Sequence, residues 1–166
     1  MKRIVIVDDH FLLRAGWSYL IDPQEDLAIC GAAGSVSEAL EIIEKTSPDL
    51  VITDLSLPGR SGLELIKDLK ALHPGLPVLV VSMHDETIYA ERVIKAGGRG
   101  YLMKEAAQCH TRSRTAKSAI LRKLHPEKLL LRSAFPAARL QGLRRQGRTR
   151  PDRLIPAFVY VRTPRQ

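Results

Sequence analysis

The sequence predicts an α/β fold in which a parallel sheet lies between layers of helices. Three observations carry that prediction. Short apolar runs recur along residues 1–105 without polar alternation, as strands covered on both faces do. Between them lie stretches whose apolar residues repeat at the helical spacing i, i+3, i+4, i+7. The two kinds of segment alternate, which is the order of repeated βαβ units.

The first strand is Ile4 to Val7, which ends on Asp8-Asp9. Leu13, Gly16, Trp17, Leu20 and Ile21 form the next helical stripe. It stops at Asp22-Pro23, because the residue before a proline is pushed out of helical geometry. Leu27 to Ala33 reads as a second, less bulky strand suited to a sheet edge. Ser35 and Glu38 make a capping box for a helix with Val36, Ala39, Leu40 and Ile43 on one face, ending before Ser47-Pro48. The third strand, Leu50 to Thr53, is aliphatic and β-branched and ends on Asp54. After the Pro58-Gly59 turn, Ser61 caps a helix with Leu65, Ile66, Leu69 and Leu72 inward, terminated by His73-Pro74-Gly75. Leu76 to Val81 is a fourth apolar strand ending on Ser82. A helix from Glu86 to Ala96 buries Tyr89, Val93 and Ala96, and Gly97-Gly98 end it. Gly100 to Met103 is the fifth strand, ending on Lys104. The best candidate for a closing fifth helix is Ser113 to Leu124, where Ala116, Ala119, Ile120 and Leu124 make a modest stripe under a basic face.

A chain of 166 residues holds one core of ordinary size and a small appendage. It has no apolar run long enough to cross a bilayer, and Asp8-Asp9 interrupt the amino terminus too soon for a signal peptide. A cytoplasmic protein without membrane contact is expected. Cys30 reads as a small core residue, and Cys109-His110 has no matching ligand pair that would suggest zinc. His10, His73 and His84 share no ligand spacing and read as surface or cap residues.

The net charge of +8 is unevenly divided. Residues 1–105 hold 11 Lys and Arg against 16 Asp and Glu, a net of −5, whereas residues 106–166 hold 15 against two, a net of +13. Half of the ten prolines also fall in that basic stretch.

Parallel strands bring their carboxyl ends to one rim, so Asp8, Asp9, Asp54, Ser82 and Lys104 should meet there. Crowded carboxylates need a cation among them, and a hard ion such as Mg²⁺ suits a site with few protein ligands. A lysine opposite would balance an incoming anion, and a hydroxyl could bond to one of its oxygens. The implied chemistry is transfer of a phosphoryl group onto a carboxylate. Taken singly, each residue has a plainer reading. Asp8-Asp9 could favour a helix dipole, Asp54 and Ser82 could be caps, Tyr101 a core aromatic, and Lys104 a solvated strand end. Independent strand ends supplying suitable groups to one crevice argue against all of these at once.

Residues 1–105 resemble the receiver domain of bacterial two-component response regulators. Val7-Asp8-Asp9-His10, Ser82-Met83-His84-Asp85 and Ala96-Gly97-Gly98-Arg99-Gly100-Tyr101-Leu102-Met103-Lys104 resemble the LuxR/NarL-type subfamily in particular. The resemblance implies a flavodoxin-like, doubly wound, five-stranded sheet in the order 2-1-3-4-5. It implies that Asp54 accepts a phosphoryl group from a sensor histidine kinase, and that Asp8, Asp9, Asp54 and the Ser56 backbone carbonyl hold Mg²⁺. Lys104 would contact the phosphoryl group, Ser82 would move toward it, and Tyr101 would swing inward behind Ser82. Met83 and His84 would flank the site and tune the lifetime of the phosphoryl group. The receiver would span 1–124, with 105–124 as its fifth helix. Such a chain is a phosphoryl-accepting switch rather than an enzyme, and the sequence leaves open whether phosphorylation drives homodimerisation.

A Mg²⁺-dependent aspartyl phosphatase shares this chemistry. That family places Asp-x-Asp after its first strand, however, and here the acids are adjacent. Subfamily members continue into a helix-turn-helix domain that binds DNA, which requires two striped helices and a tight turn. Residues 125–166 instead offer scattered arginine, proline and glycine, and read as a disordered basic tail with no such domain. One alternative is a stand-alone receiver with a basic arm that contacts nucleic acid through phosphates. Another is a change of reading frame after Ala107, since arginine supplies 12 of the 15 cations beyond residue 105.

Overall fold

The computed structural model describes residues 1–104 and Leu124. The basic tail, and all of the expected fifth helix except Leu124, lie outside the described residues. Strands β1 (Lys2–Val7), β2 (Leu27–Ala33), β3 (Leu50–Thr53), β4 (Val78–Ser82) and β5 (Gly100–Met103) alternate with helices α1 (Phe11–Ile21), α2 (Val36–Thr46), α3 (Gly62–Leu72) and α4 (Glu86–Ala96). Every pairing is parallel, and the order β2-β1-β3-β4-β5 is the flavodoxin-like order expected from the sequence.

The missing polar alternation is explained by burial on both sides of the sheet. Side chains alternate between faces along a strand. Val5, Val7, Val51, Val78 and Val80 pack with α2, α3 and α4, whereas Ile4, Ile6, Leu50, Ile52, Leu79 and Val81 pack with Trp17, Leu20 and Ile21 of α1. Leu124 is fully buried in the second group. Each such aliphatic side chain contributes about 1.5–3 kcal/mol of burial.

Local signals set the helix starts. Ser35 accepts a hydrogen bond from the Glu38 amide at 3.3 Å, while the Glu38 carboxylate accepts from the Gly34 amide at 2.7 Å. Asp85 caps α4 by accepting from the Thr87 amide at 2.8 Å.

Three expectations need correction. β4 begins at Val78 rather than Leu76, because Pro77 has no N–H to donate to a ladder. Leu72 is exposed: it is the last residue of α3, where packed neighbours run out. Gly16 is exposed too, since the buried stripe of α1 centres on Trp17, Leu20 and Ile21.

The β1–β2 ladder contains an irregularity. Ile4 pairs with Ile29 but Val5 pairs with Gly31, which leaves Cys30 as an extra residue on β2. The Cys30 thiol donates to the Ile4 carbonyl at 3.5 Å.

Candidate functional site

The parallel sheet delivers the ends of β1, β3, β4 and β5 to one rim. There Asp8, Asp54, Ser82 and Lys104 are all buried, while Asp9 is exposed. Backbone bonds set the two acids side by side: the Asp8 amide donates to Ala33 O at 3.0 Å, and the Asp54 amide to Val7 O at 2.9 Å.

Asp54 is held from several sides. Its Oδ1 accepts from the Leu55 amide at 2.6 Å, and its carbonyl accepts from Thr53 Oγ1 at 2.9 Å. The Gly62 amide closes the following loop onto Leu55 O at 2.9 Å. A Cβ on Gly62 would lie 1.9 Å from the Asp54 carbonyl oxygen, so only glycine fits there. Arg14, one turn into α1, donates to the Asp8 carbonyl.

Lys104 Nζ bridges the two buried acids, 2.7 Å from Asp54 Oδ2 and 2.8 Å from Asp8 Oδ2. Burial works to lower the lysine pKa, but its hydrogen bonds and charge attraction to Asp54 and Asp8 outweigh that and raise it. The ammonium therefore stays charged in the crevice.

Acidic groups continue on the other side of Asp8. One ligand atom from each of Asp8, Asp9, His10 and Asp54 lies within 4.8 Å of the others. Oxygen donors at this density suit a hard divalent cation completed by water, and the chain's own lysine cannot neutralise all three carboxylates. These residues fit Mg²⁺.

Ser82 is buried, and its Oγ has no hydrogen-bond partner of good geometry among the described residues, although it lies near enough to Tyr101 to draw that pKa slightly down. An orphaned hydroxyl at this rim is a donor waiting for an acceptor. Tyr101 is fully buried and donates to the His84 carbonyl at 2.8 Å. Burial, aided by the nearby Asp54, Glu86 and Asp85 charges, pushes its pKa up to about 12. Tyr101 is thus held inward by a hydroxyl that finds a backbone acceptor.

Ser56 is exposed on the loop after Asp54, and its Oγ lies 2.9 Å from His84 Nε2. The His84 ring stacks on Tyr89 with centroids 4.7 Å apart. Met83, also expected beside the site, is exposed. His84 is therefore no isolated surface residue. His10 is exposed and is the N-cap of α1, as expected, and its Nδ1 lies 2.8 Å from Asp9 Oδ1 and 3.3 Å from Asp8 Oδ1. Sequence reasoning missed His10, Arg14 and Gly62. Only His10 left a signal, its adjacency to the two acids.

A profile of the response regulator receiver domain matches residues 4–115, which extends beyond the residues 1–105 that carry the resemblance. The transcriptional regulatory protein DegU of Brevibacillus brevis is 36% identical over 103 residues, covering 62% of this chain and 44% of that protein. The chain spans about half the length of the curated relatives it matches. Among solved structures, a LuxR-family two-component response regulator from Aurantimonas sp. SI85-9A1 is 31% identical with a TM-score of 0.63, covering 73% of this chain and 85% of that one. The signal receiver domain of the response regulator NarL from Mycobacterium tuberculosis is 28% identical with a TM-score of 0.62, covering 72% and 93%.

Proposed function

The chain belongs to the response regulator receiver domain family, and we propose that it is a switch in which Asp54 accepts a phosphoryl group from the phosphohistidine of a sensor histidine kinase. A carboxylate oxygen of Asp54 attacks phosphorus, and a P–O bond forms as the P–N bond to the donor imidazole breaks. The imidazole leaves with the electron pair and takes up a proton from solvent. Lys104 turns from the free carboxylates to the phosphoryl oxygens, and the Ser82 hydroxyl donates to one of them. Mg²⁺, held by Asp8, Asp9, Asp54 and the Ser56 carbonyl, supplies neutralisation of the negative charge that builds up. The observation that carries this reading is the buried Lys104 bridging Asp54 and Asp8 at 2.7 and 2.8 Å. Desolvating three charges is costly, and an arrangement that counters an incoming phosphoryl group gives it a purpose.

Incubation with a small phosphodonor such as acetyl phosphate, followed by intact-protein mass measurement, tests the proposal. Wild type should gain one phosphoryl group in the presence of Mg²⁺. Chelation with EDTA or the substitution Asp54→Ala should abolish the gain. Undiminished labelling of Asp54→Ala would remove Asp54 from this role.

The receiver in this reading occupies 1–124, and 125–166 form a basic tail without a helix-turn-helix. Among the described residues no helix is long and apolar enough to cross a membrane. Charge without a base-reading element supports only weak DNA binding with a steep salt dependence. A sequence-specific footprint at moderate salt would contradict that. Translating the gene's other two frames beyond codon 107 tests the frame change. A helix-turn-helix in either frame supports it, and its absence from both removes it.

A further inference from the structure

We propose that His10 is itself a metal ligand, and that Nδ1 together with Asp8 and Asp9 makes a mixed nitrogen–oxygen site preferring a transition-metal dication to Mg²⁺. The inference rests on the metal reading above and deepens it.

The two oxygens of Asp8 have separate partners. Oδ2 lies 2.8 Å from Lys104 Nζ, while Oδ1 accepts the His10 amide at 2.9 Å and lies 3.3 Å from His10 Nδ1. Asp54 Oδ2 also belongs to Lys104. An ammonium repels a second cation, so the cation's place is away from Lys104, where Asp8 Oδ1, Asp9 Oδ1 and His10 Nδ1 converge and a carboxylate oxygen of Asp54 still lies within 4.8 Å. The imidazole is aimed at the two acids rather than at the helix it precedes. Its side chain is 62% exposed, and as N-cap of α1 it makes no side-chain hydrogen bond to the helix. The backbone bond to Asp8 Oδ1 instead turns the residue back over the acids.

The chemistry then decides which ion benefits. Mg²⁺ takes oxygen ligands and gains little from an imidazole. Co²⁺, Ni²⁺ and Zn²⁺ bind nitrogen well and stand higher in the general affinity order for such donors. An all-carboxylate crevice leaves this choice to availability, whereas a histidine at its mouth biases it.

The experiment uses the full chain and two metals. Titration calorimetry should show Co²⁺ binding more tightly than Mg²⁺. His10→Ala should weaken Co²⁺ by about tenfold or more while moving Mg²⁺ by less than about twofold. The visible absorption of the Co²⁺ complex should shift between wild type and His10→Ala, because replacing nitrogen by water changes the ligand field. The variant keeps the backbone amide that bonds to Asp8, so folding is preserved, and an unchanged circular dichroism spectrum checks this. Equal effects on both metals, or an unshifted spectrum, would overturn the role of His10 while leaving the Mg²⁺ reading intact. Failure of wild type to bind either ion would overturn the metal reading itself, and the role of His10 with it.

Discussion

β3 has an aspartate just before it and another just after it, and each pairs with a lysine. At the carboxyl rim, Asp54 and Asp8 hold Lys104 within 2.8 Å, and none of the three side chains is more than 5% exposed. At the amino rim, Asp49 holds Lys2 at 3.1 Å, with side chains 33% and 44% exposed. Asp49 also accepts the Arg3 amide at 2.9 Å and so ties the turn before β3 to β1. The residue types are the same and the energetics differ. The exposed pair loses little solvation and contributes little beyond its backbone bond. The buried triad gives up much hydration, which its mutual attraction must offset.

The contrast should be plainest when each lysine is removed. With EDTA present, Lys104→Ala should cost about 3–5 kcal/mol in urea unfolding, because two buried carboxylates lose their only cation among the described residues. Lys2→Ala should cost less than about 1 kcal/mol in the same assay. Comparable losses would erase the distinction between the rims.

A smaller effect separates the acids. The Arg3 amide, helped by Lys2, holds the Asp49 pKa below its ordinary value of 3.8. A depressed carboxylate stabilises the fold above its unfolded pKa, and that contribution disappears as pH falls through the lower folded value. Asp49→Asn should therefore cost about 1 kcal/mol at neutral pH and flatten the stability profile below about pH 4. A profile that keeps its full slope would show that other acids govern this range.

The smallest change is a gain. Ser47, which ends α2 at the amino rim, has φ of 44°, a left-handed conformation that costs a residue with a side chain about 1–2 kcal/mol. Ser47→Gly should relieve that cost and lose part of the gain to unfolded-state entropy, for a net stabilisation of about 0.5 kcal/mol by thermal unfolding. Destabilisation would mean that the serine side chain contributes more than its backbone costs.

How far the molecule could be read in advance follows from what each feature depends on. The strands were legible because burial on both faces removes polar alternation, as at Leu50 to Thr53. The helices were legible from the repeat of stripes such as Leu65, Ile66 and Leu69. Asp8, Asp54, Ser82 and Lys104 were legible because each stands immediately after a strand-forming run or at its end, and parallel topology gathers such residues. Gly62 was not, since its necessity arises only where the chain folds back so closely that an added Cβ would lie 1.9 Å from the Asp54 carbonyl oxygen. Leu72 matched the stripe by arithmetic, but helical period says nothing about where neighbours end. His10 has no partner at ligand spacing in the sequence, and its nearest acids are the two residues immediately before it.

The extra residue at Cys30 bears on how the molecule behaves in company. β2 is an outermost strand, and a row of free amides and carbonyls there could recruit another chain. Between Ile4 and Val5 the pairing skips a residue, so the outer side of β2 is out of step with any regular strand laid against it. Gly31, next along, packs so tightly that a Cβ would lie 2.3 Å from Ile42 Cγ2, which holds the kink against α2. A newcomer could zip along β2 for only a few residues before its ladder failed, which guards this edge of the sheet.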